Sequence, residues 1–291
     1  MERVLKEIHA DYAYKRGWFG QGVGIAVLDS GVSLHADLQG QVVRFWDYMS
    51  GKNACYDDNG HGTHICGIIA AKNKTALHGV ATESRLYVCK VLDRLGNGRI
   101  EDTCRAVDEL IRFNRENRQP VRILNISVGM TDAVRPNLQR SLIAAVEKAW
   151  DSGIVVLAAA GNNGPEEHTI TSPGISRKII TVGSIDDQWD LQGQKGYSGR
   201  GPTQACVVKP EILMPGTNIL SCANRKDGYT RKSGTSMAVP VLSGVIALLL
   251  NAHPSLTPNE VKMRLFYAAK RVDGSGGGKS WGTVTLDGLM Y

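Results

Sequence analysis

Three stretches of the chain carry side chains that together can activate a hydroxyl group. Gly234-Thr235-Ser236-Met237-Ala238-Val239-Pro240 runs into the apolar segment 241–250, so Ser236 falls at the N-terminal tip of a predicted buried helix. Such a tip offers unpaired backbone N–H groups and the positive end of the helix dipole, both of which favour a developing negative charge. The same heptapeptide also reads as an ordinary helix cap followed by a first-turn proline. Ile25-Ala26-Val27-Leu28 has the unbroken apolar pattern of a parallel strand buried on both faces, and it ends on Asp29 and a Ser30-Gly31 turn. In open α/β sheets functional groups gather at the carboxyl ends of strands, although an Asp there also serves to cap the next element. The acidic turn Asp57-Asp58-Asn59-Gly60 leads into His61 and a helix of small apolar residues.

The chemistry open to this set is nucleophilic catalysis. A serine hydroxyl is a weak nucleophile at its own pKa and needs a base. Histidine titrates near working pH and can take the proton and later return it. An aspartate behind the imidazole fixes its tautomer and stabilises the imidazolium. His61 and His64 share a spacing that places two imidazoles on one helix face, but no HExxH glutamate and no third ligand accompany them. His64 is therefore expected to be a packed structural histidine. His35 is expected to be a turn residue.

The elements that must position these groups alternate along the chain. Strands are predicted at 24–28, 85–91, 121–127, 154–160 and 179–183, and helices at 61–72, 101–117, 137–152, 236–251 and 258–268. This alternation implies an α/β fold, a doubly wound and mostly parallel sheet with helices on both faces. Cys104, Val107, Leu110 and Ile111 form one stripe of the 101–117 helix, which should pack on the sheet. Thr257-Pro258-Asn259-Glu260 is a capping-box pattern with proline at the first helical position. The Gly-rich stretch 274–278 reads as a loop before a last short strand near 283–285.

The 291 residues, 42% hydrophobic with 33 glycines, suit one large domain spanning 1–291, with 1–20 as an N-terminal arm. No run reaches the roughly 18 uncharged apolar residues of a membrane span. The net charge is +6. Arg105, Arg112, Arg115, Arg118 and Arg122 cluster on one predicted helix and its exit, but Glu101, Asp102, Asp108, Glu109 and Glu116 interleave with them. That pattern is a solvated helix face, and no nucleic-acid recognition motif accompanies it. The N-terminus lacks the apolar core of a secretory signal. The six cysteines contain no CxxC pair and are expected to be reduced thiols in a cytoplasmic protein, or disulfide-paired in the alternative that the chain is a trimmed secreted form.

Asp29, His61 and Ser236 occur in the order found in subtilisin. Their contexts, Val-Leu-Asp-Ser-Gly, Asn-Gly-His-Gly-Thr-His and Gly-Thr-Ser-Met-Ala-x-Pro, resemble those of the subtilase family. So do Ala158-Ala159-Ala160-Gly161-Asn162-Asn163-Gly164, Tyr197-Ser198-Gly199-Arg200-Gly201-Pro202-Thr203 and Lys209-Pro210-Glu211-Ile212, over about residues 17–252. The resemblance implies a serine endopeptidase acting on polypeptides, closest in character to intracellular-type bacterial enzymes. It implies Asp29, His61 and Ser236 as the triad, and the Asn162 amide with the Ser236 N–H as oxyanion donors. It implies that Gly96, Asn97 and Gly98 on one side and Ser127, Val128 and Gly129 on the other pair with an extended peptide. Met130, with Arg99 and Ile100, suggests a hydrophobic substrate preference. No cofactor is needed for the chemistry. Asp37 matches a calcium-ligand position of many subtilases, but the partner loop 72–78 is short and carries two lysines, so structural calcium is doubtful. The first strand near residue 24 leaves no room for a prodomain, so a separate inhibitor or prodomain becomes a possible partner. The alternative from another class is a catalytically inactive, subtilase-like peptide-binding or regulatory protein. A lipase-type hydrolase fits less well, because the G-x-S-x-G elbow is missing.

Overall fold

The computed structural model describes residues 1–72, 77–117, 121–129, 136–187, 196–271 and 280–291. Seven strands form one sheet: β1 (Gly24–Asp29), β2 (Val42–Asp47), β3 (Arg85–Lys90), β4 (Val121–Ile126), β5 (Val155–Ala159), β6 (Ile180–Ser184) and β7 (Ile212–Met214). Their spatial order is β2-β3-β1-β4-β5-β6-β7, and every neighbouring pair is parallel. A separate antiparallel hairpin joins β8 (Ile219–Cys222) to β9 (Tyr229–Lys232).

The helices are α1 (Glu2–Glu7), α2 (Ala10–Tyr14), α3 (His61–Ala70), α4 (Ile100–Glu116), α5 (Pro136–Asp151), α6 (Thr235–Ala252), α7 (Pro258–Ala268) and α8 (Leu286–Leu289). α3 and α6 pack on each other, α3 against β1 and α6 against β4 to β7, while α4 and α5 form a second packed pair with α5 on β5. All five residues of β5 are buried. Covering on both faces is what removes polar alternation from a central parallel strand, and it is why the apolar runs of β1, β4 and β5 were legible as strands. In α4 the buried residues include Ala106, Val107, Leu110 and Ile111, the expected stripe. Cys104 lies at its edge, half-buried.

Among the described residues one helix, α6, is long and apolar enough to cross a membrane, but most of it is buried inside the protein. It is the central core helix. α1 and α2 dock by burying Val4, Ile8, Ala10 and Ala13, and Arg3 donates to Asp186 and to the Thr217 carbonyl. The capping box of α7 is present in both directions between Thr257 and Glu260. All six cysteines are free thiols.

Four strands, β2, β7, β8 and β9, and three short helices, α1, α2 and α8, were not anticipated. The expected strand at 283–285 is a correction. Gly282 and Thr283 form only isolated bridges, to Ile212 and Lys270, because Thr285 already stands at the N-cap position of α8. The expected loop at 274–278 lies outside the described residues.

The chain runs from β1 out to the edge strand β2 and back through β3, then crosses β1 to β4. β1 and β4 therefore flank the point where the winding reverses. Crevices outside the carboxyl ends of strands at such a point are where α/β proteins bind ligands. Asp29 ends β1, and Ser127 follows β4.

Candidate active site

Asp29 has no solvent exposure. Its carboxylate faces His61 Nδ1 with both oxygens, at 2.8 and 2.9 Å, and accepts the Ser30 N–H at 2.8 Å. A ring nitrogen shared by two carboxylate oxygens must be the protonated one, so Nε2 of a neutral His61 keeps its lone pair for an incoming proton. Burial alone would push the His61 imidazole down. The Asp29 charge and hydrogen bond outweigh it, and the net shift is upward.

The turn that presents His61 is organised by Asp57. One of its oxygens accepts from Ser30 Oγ and from the Asn59 and Gly60 N–H groups, and the other from the Thr63 N–H and hydroxyl, all within 3.1 Å. Ser30 Oγ in turn accepts the Gly62 N–H. The Asp57 network thus ties the end of β1 to the first turn of α3. Gly62 lets the two approach: a Cβ there would lie 2.1 Å from the Gly31 carbonyl oxygen. Lys90, at the end of β3, is buried. Its ammonium donates to the Ser30 and Leu92 carbonyls and to Asp58, each at 2.7 Å.

Ser236 stands in the first turn of α6, which Gly234 enters with φ at 148°, a backbone conformation that favours glycine. Thr235 fixes the neighbouring Asn162. Its N–H and hydroxyl both donate to Asn162 Oδ1, at 3.0 and 3.1 Å, and its hydroxyl oxygen accepts the Gly161 N–H. With the amide oxygen anchored, Nδ2 is left as a donor, and it is the Asn162 atom nearest to where a Cβ on Gly234 would lie, at 3.2 Å. The Ser236 hydroxyl donates to the Ser127 carbonyl at 2.6 Å, so at rest its proton points along β4's exit rather than at His61.

The two expected peptide-pairing segments differ in how their backbones are engaged. The Gly96 and Asn97 N–H groups are used within a turn, by the Asp93 carbonyl and carboxylate. Asn59 donates to the Arg94 carbonyl and anchors that turn beside His61. Gly98 packs against the Val91 carbonyl, and Gly129 against the Thr171 side chain. Val128 is partly buried against the core. Met130 lies outside the described residues.

Two other expectations have clear outcomes. His64 is fully buried, with Nε2 on the Ile219 carbonyl, and burial pushes it down to about 3. His35 closes a turn: Nδ1 accepts the Asp37 N–H and Nε2–H donates to the Gly228 carbonyl. Asp37 is buried and accepts the Tyr229 hydroxyl at 2.6 Å. Near its carboxylate stand His35 and Cys222, a nitrogen and a sulfur. Calcium takes six to eight oxygens, and among the described residues the nitrogen and sulfur beside this carboxylate are not donors of that kind. Loop residues 73–76 lie outside the described residues. Of the five arginines, Arg105 pairs with Asp102, Arg112 with Glu109, and Arg122 donates to the Pro254 and Leu256 carbonyls.

Asp57, Thr235 and Lys90 were not singled out from sequence. Asp57 had a usable signal: an Asp two and three residues ahead of backbone N–H groups, at the mouth of a helix, is an Asx-turn pattern.

The Peptidase_S8 model, describing the Subtilase family, matches residues 20–282. The chain belongs to the subtilase family. It is 41% identical to the serine protease AprX of Bacillus subtilis (strain 168) over 90% of its own length, and it spans 65% of that protein's length. It is 35% identical to subtilisin DY of Bacillus licheniformis, covering 92% of this subtilase and 91% of the relative. The solved structure of Sphericase superposes with a TM-score of 0.76 at 31% identity, over 87% of this chain and 85% of that one. The α/β fold expected from the alternation of elements, in the subtilisin-like form implied by the resemblance, is thereby established.

Proposed function

We propose that this subtilase is a serine endopeptidase working through Asp29, His61 and Ser236. The observation that carries the reading is the double contact of Asp29 with His61 Nδ1, at the open end of the sheet where α6 presents Ser236. His61 Nε2 takes the Ser236 proton as Oγ attacks the peptide carbonyl carbon. The carbonyl π electrons move to oxygen, and the Asn162 amide with the Ser236 N–H stabilises that oxyanion. Collapse breaks the C–N bond, and His61 returns the proton to the leaving amine. Water then repeats the sequence on the acyl-enzyme, and its hydroxyl group leaves with the second product as a carboxylic acid.

The Ser127 carbonyl holds the hydroxyl at rest, so Ser236 must turn toward Nε2 before attack. In apo enzymes such catalytic bonds commonly tighten only with substrate. The steps use side-chain and backbone groups alone and need no cofactor. Polypeptide chains laid along the exit of β4 and the 93–98 turn are the substrates. A fluorophosphonate probe tests the reading. The protein should be labelled once per chain, and Ser236→Ala should abolish labelling while keeping the melting temperature. A folded wild-type protein that takes no label would place this chain among peptide-binding proteins instead.

A further inference from the structure

From the side chains around the 35–37 turn, we propose that His35, Asp37 and Cys222 form a binding site for a zinc-class divalent cation, distinct from the catalytic centre. The three residues are buried, and one ligand atom from each lies within 4.8 Å of the others. Donor atoms around tetrahedral zinc stand roughly 3.3–3.8 Å apart, given bonds of about 2.0–2.3 Å, so a contraction of about 1 Å assembles the set. Nitrogen, carboxylate and thiolate are the donors that zinc and cadmium take and that calcium and magnesium avoid.

The surroundings already have the form of an outer shell. A ligating histidine usually donates its second ring N–H to a carbonyl or carboxylate, which fixes the tautomer. His35 does this: Nε2–H is held by the Gly228 carbonyl at 2.9 Å, which leaves the Nδ1 lone pair on the side of Asp37. Among the described residues that lone pair is engaged only by the Asp37 N–H at 3.1 Å, a contact the cation would replace. The Asp37 carboxylate is oriented by the Tyr229 hydroxyl at 2.6 Å, and the Tyr229 ring packs edge-on against His35. A cavity of about 590 Å³, lined in part by Ser33 and Gln39, reaches His35.

A divalent ion would displace the Cys222 thiol proton, and the thiolate with the Asp37 carboxylate would then neutralise the ion. The site joins the 35–37 turn to the β8–β9 hairpin, whose second strand leads directly to Gly234 and Ser236. A bound ion would staple the two. His35 and Cys222 are too far apart in sequence for any motif to relate them.

The test uses the full chain as the Ser236→Ala variant, reduced and stripped with chelator. Titration with Cd²⁺ should give a thiolate-to-metal absorbance that saturates at one equivalent and is competed by Zn²⁺ but not by Ca²⁺. It should vanish in Cys222→Ser, persist in Cys206→Ser, and need at least tenfold more Cd²⁺ in His35→Gln. Should Cys222→Ser fail to fold, zinc X-ray absorption on the unmutated site decides. One sulfur at about 2.3 Å among nitrogen and oxygen neighbours is expected. An absorbance that survives in a folded Cys222→Ser, the lack of any band at stoichiometric Cd²⁺, or a shell without sulfur would overturn the proposal.

Discussion

Replacing Asp57 with Asn changes one atom and removes one charge, yet the structure gives it a large effect. The carboxylate serves five donors. An amide can face its oxygen toward Ser30, Asn59 and Gly60, but its NH₂ then meets the Thr63 N–H, donor against donor. The Thr63 hydroxyl can reverse and accept, while the Thr63 N–H cannot. Hydrogen bonds to a charged group contribute about 1.5–3 kcal/mol, and a buried donor left unpaired costs about 1–3 kcal/mol. With one donor orphaned and the other bonds weakened, the loss should be about 2–4 kcal/mol. For a domain of this size that is about 3–7 °C in melting temperature. The measurement belongs in a Ser236→Ala background, where self-digestion does not distort the melt. In the active background a second readout follows. Asp57 is one of the charges that raise His61, so Asp57→Asn should move the acidic limb of kcat/KM to lower pH as well as reduce kcat. An Asp57→Asn protein that melts within 2 °C of its parent and keeps its acidic limb would refute the view of Asp57 as the group that joins β1 to α3.

In subtilisin, the family's namesake, losing one oxyanion donor costs about 2.7–4 kcal/mol in kcat. Asn162→Ala should fall in that range with KM little changed, and steady-state kinetics showing less than a tenfold drop in kcat would remove Asn162 from the role. Gly62→Ala puts a methyl 2.1 Å from the Gly31 carbonyl oxygen. It should cost about 1–3 kcal/mol by overpacking and depress kcat by separating His61 from Asp29, both readable from melts and kinetics of one preparation. Burial lowers Lys209 from 10.5 to about 8, against the pull of Glu211. Between those values the unfolded chain holds a proton that the folded one has lost, so stability should rise with pH from 8 to 10.5. Urea midpoints should show that rise in the parent and lose it in Lys209→Met.

What sequence reveals about this fold follows from burial. β1, β4, β5 and β6 are covered on both faces and appear as apolar runs, and the buried stripe of α4 has helical spacing. β2 was hidden because it is an edge strand with a mixed exposure pattern along Val42–Asp47. β7 has three residues, and β8 and β9 four each, too short for either period to register. Of the residues proposed for the site, Asp29, His61 and Ser236 stand out in the sequence because each sits at an element boundary with glycine nearby, whereas Asn162 is implied only by the resemblance to the family. Thr235 does not stand out, since its value lies in reaching Gly161 and Asn162, more than seventy residues earlier in the chain. The resting bond from Ser236 to Ser127 was also out of reach, because it depends on a rotamer and not on a pattern.

Ser236 is carried by α6, a helix whose residues from Met237 to Leu250 are all buried. No peripheral loop can release it by local opening, since fraying begins where few apolar contacts hold the chain. Heat or denaturant should therefore extinguish reactivity and dissolve the native packing at a shared midpoint, with no range in which an intact protein has merely let go of its hydroxyl.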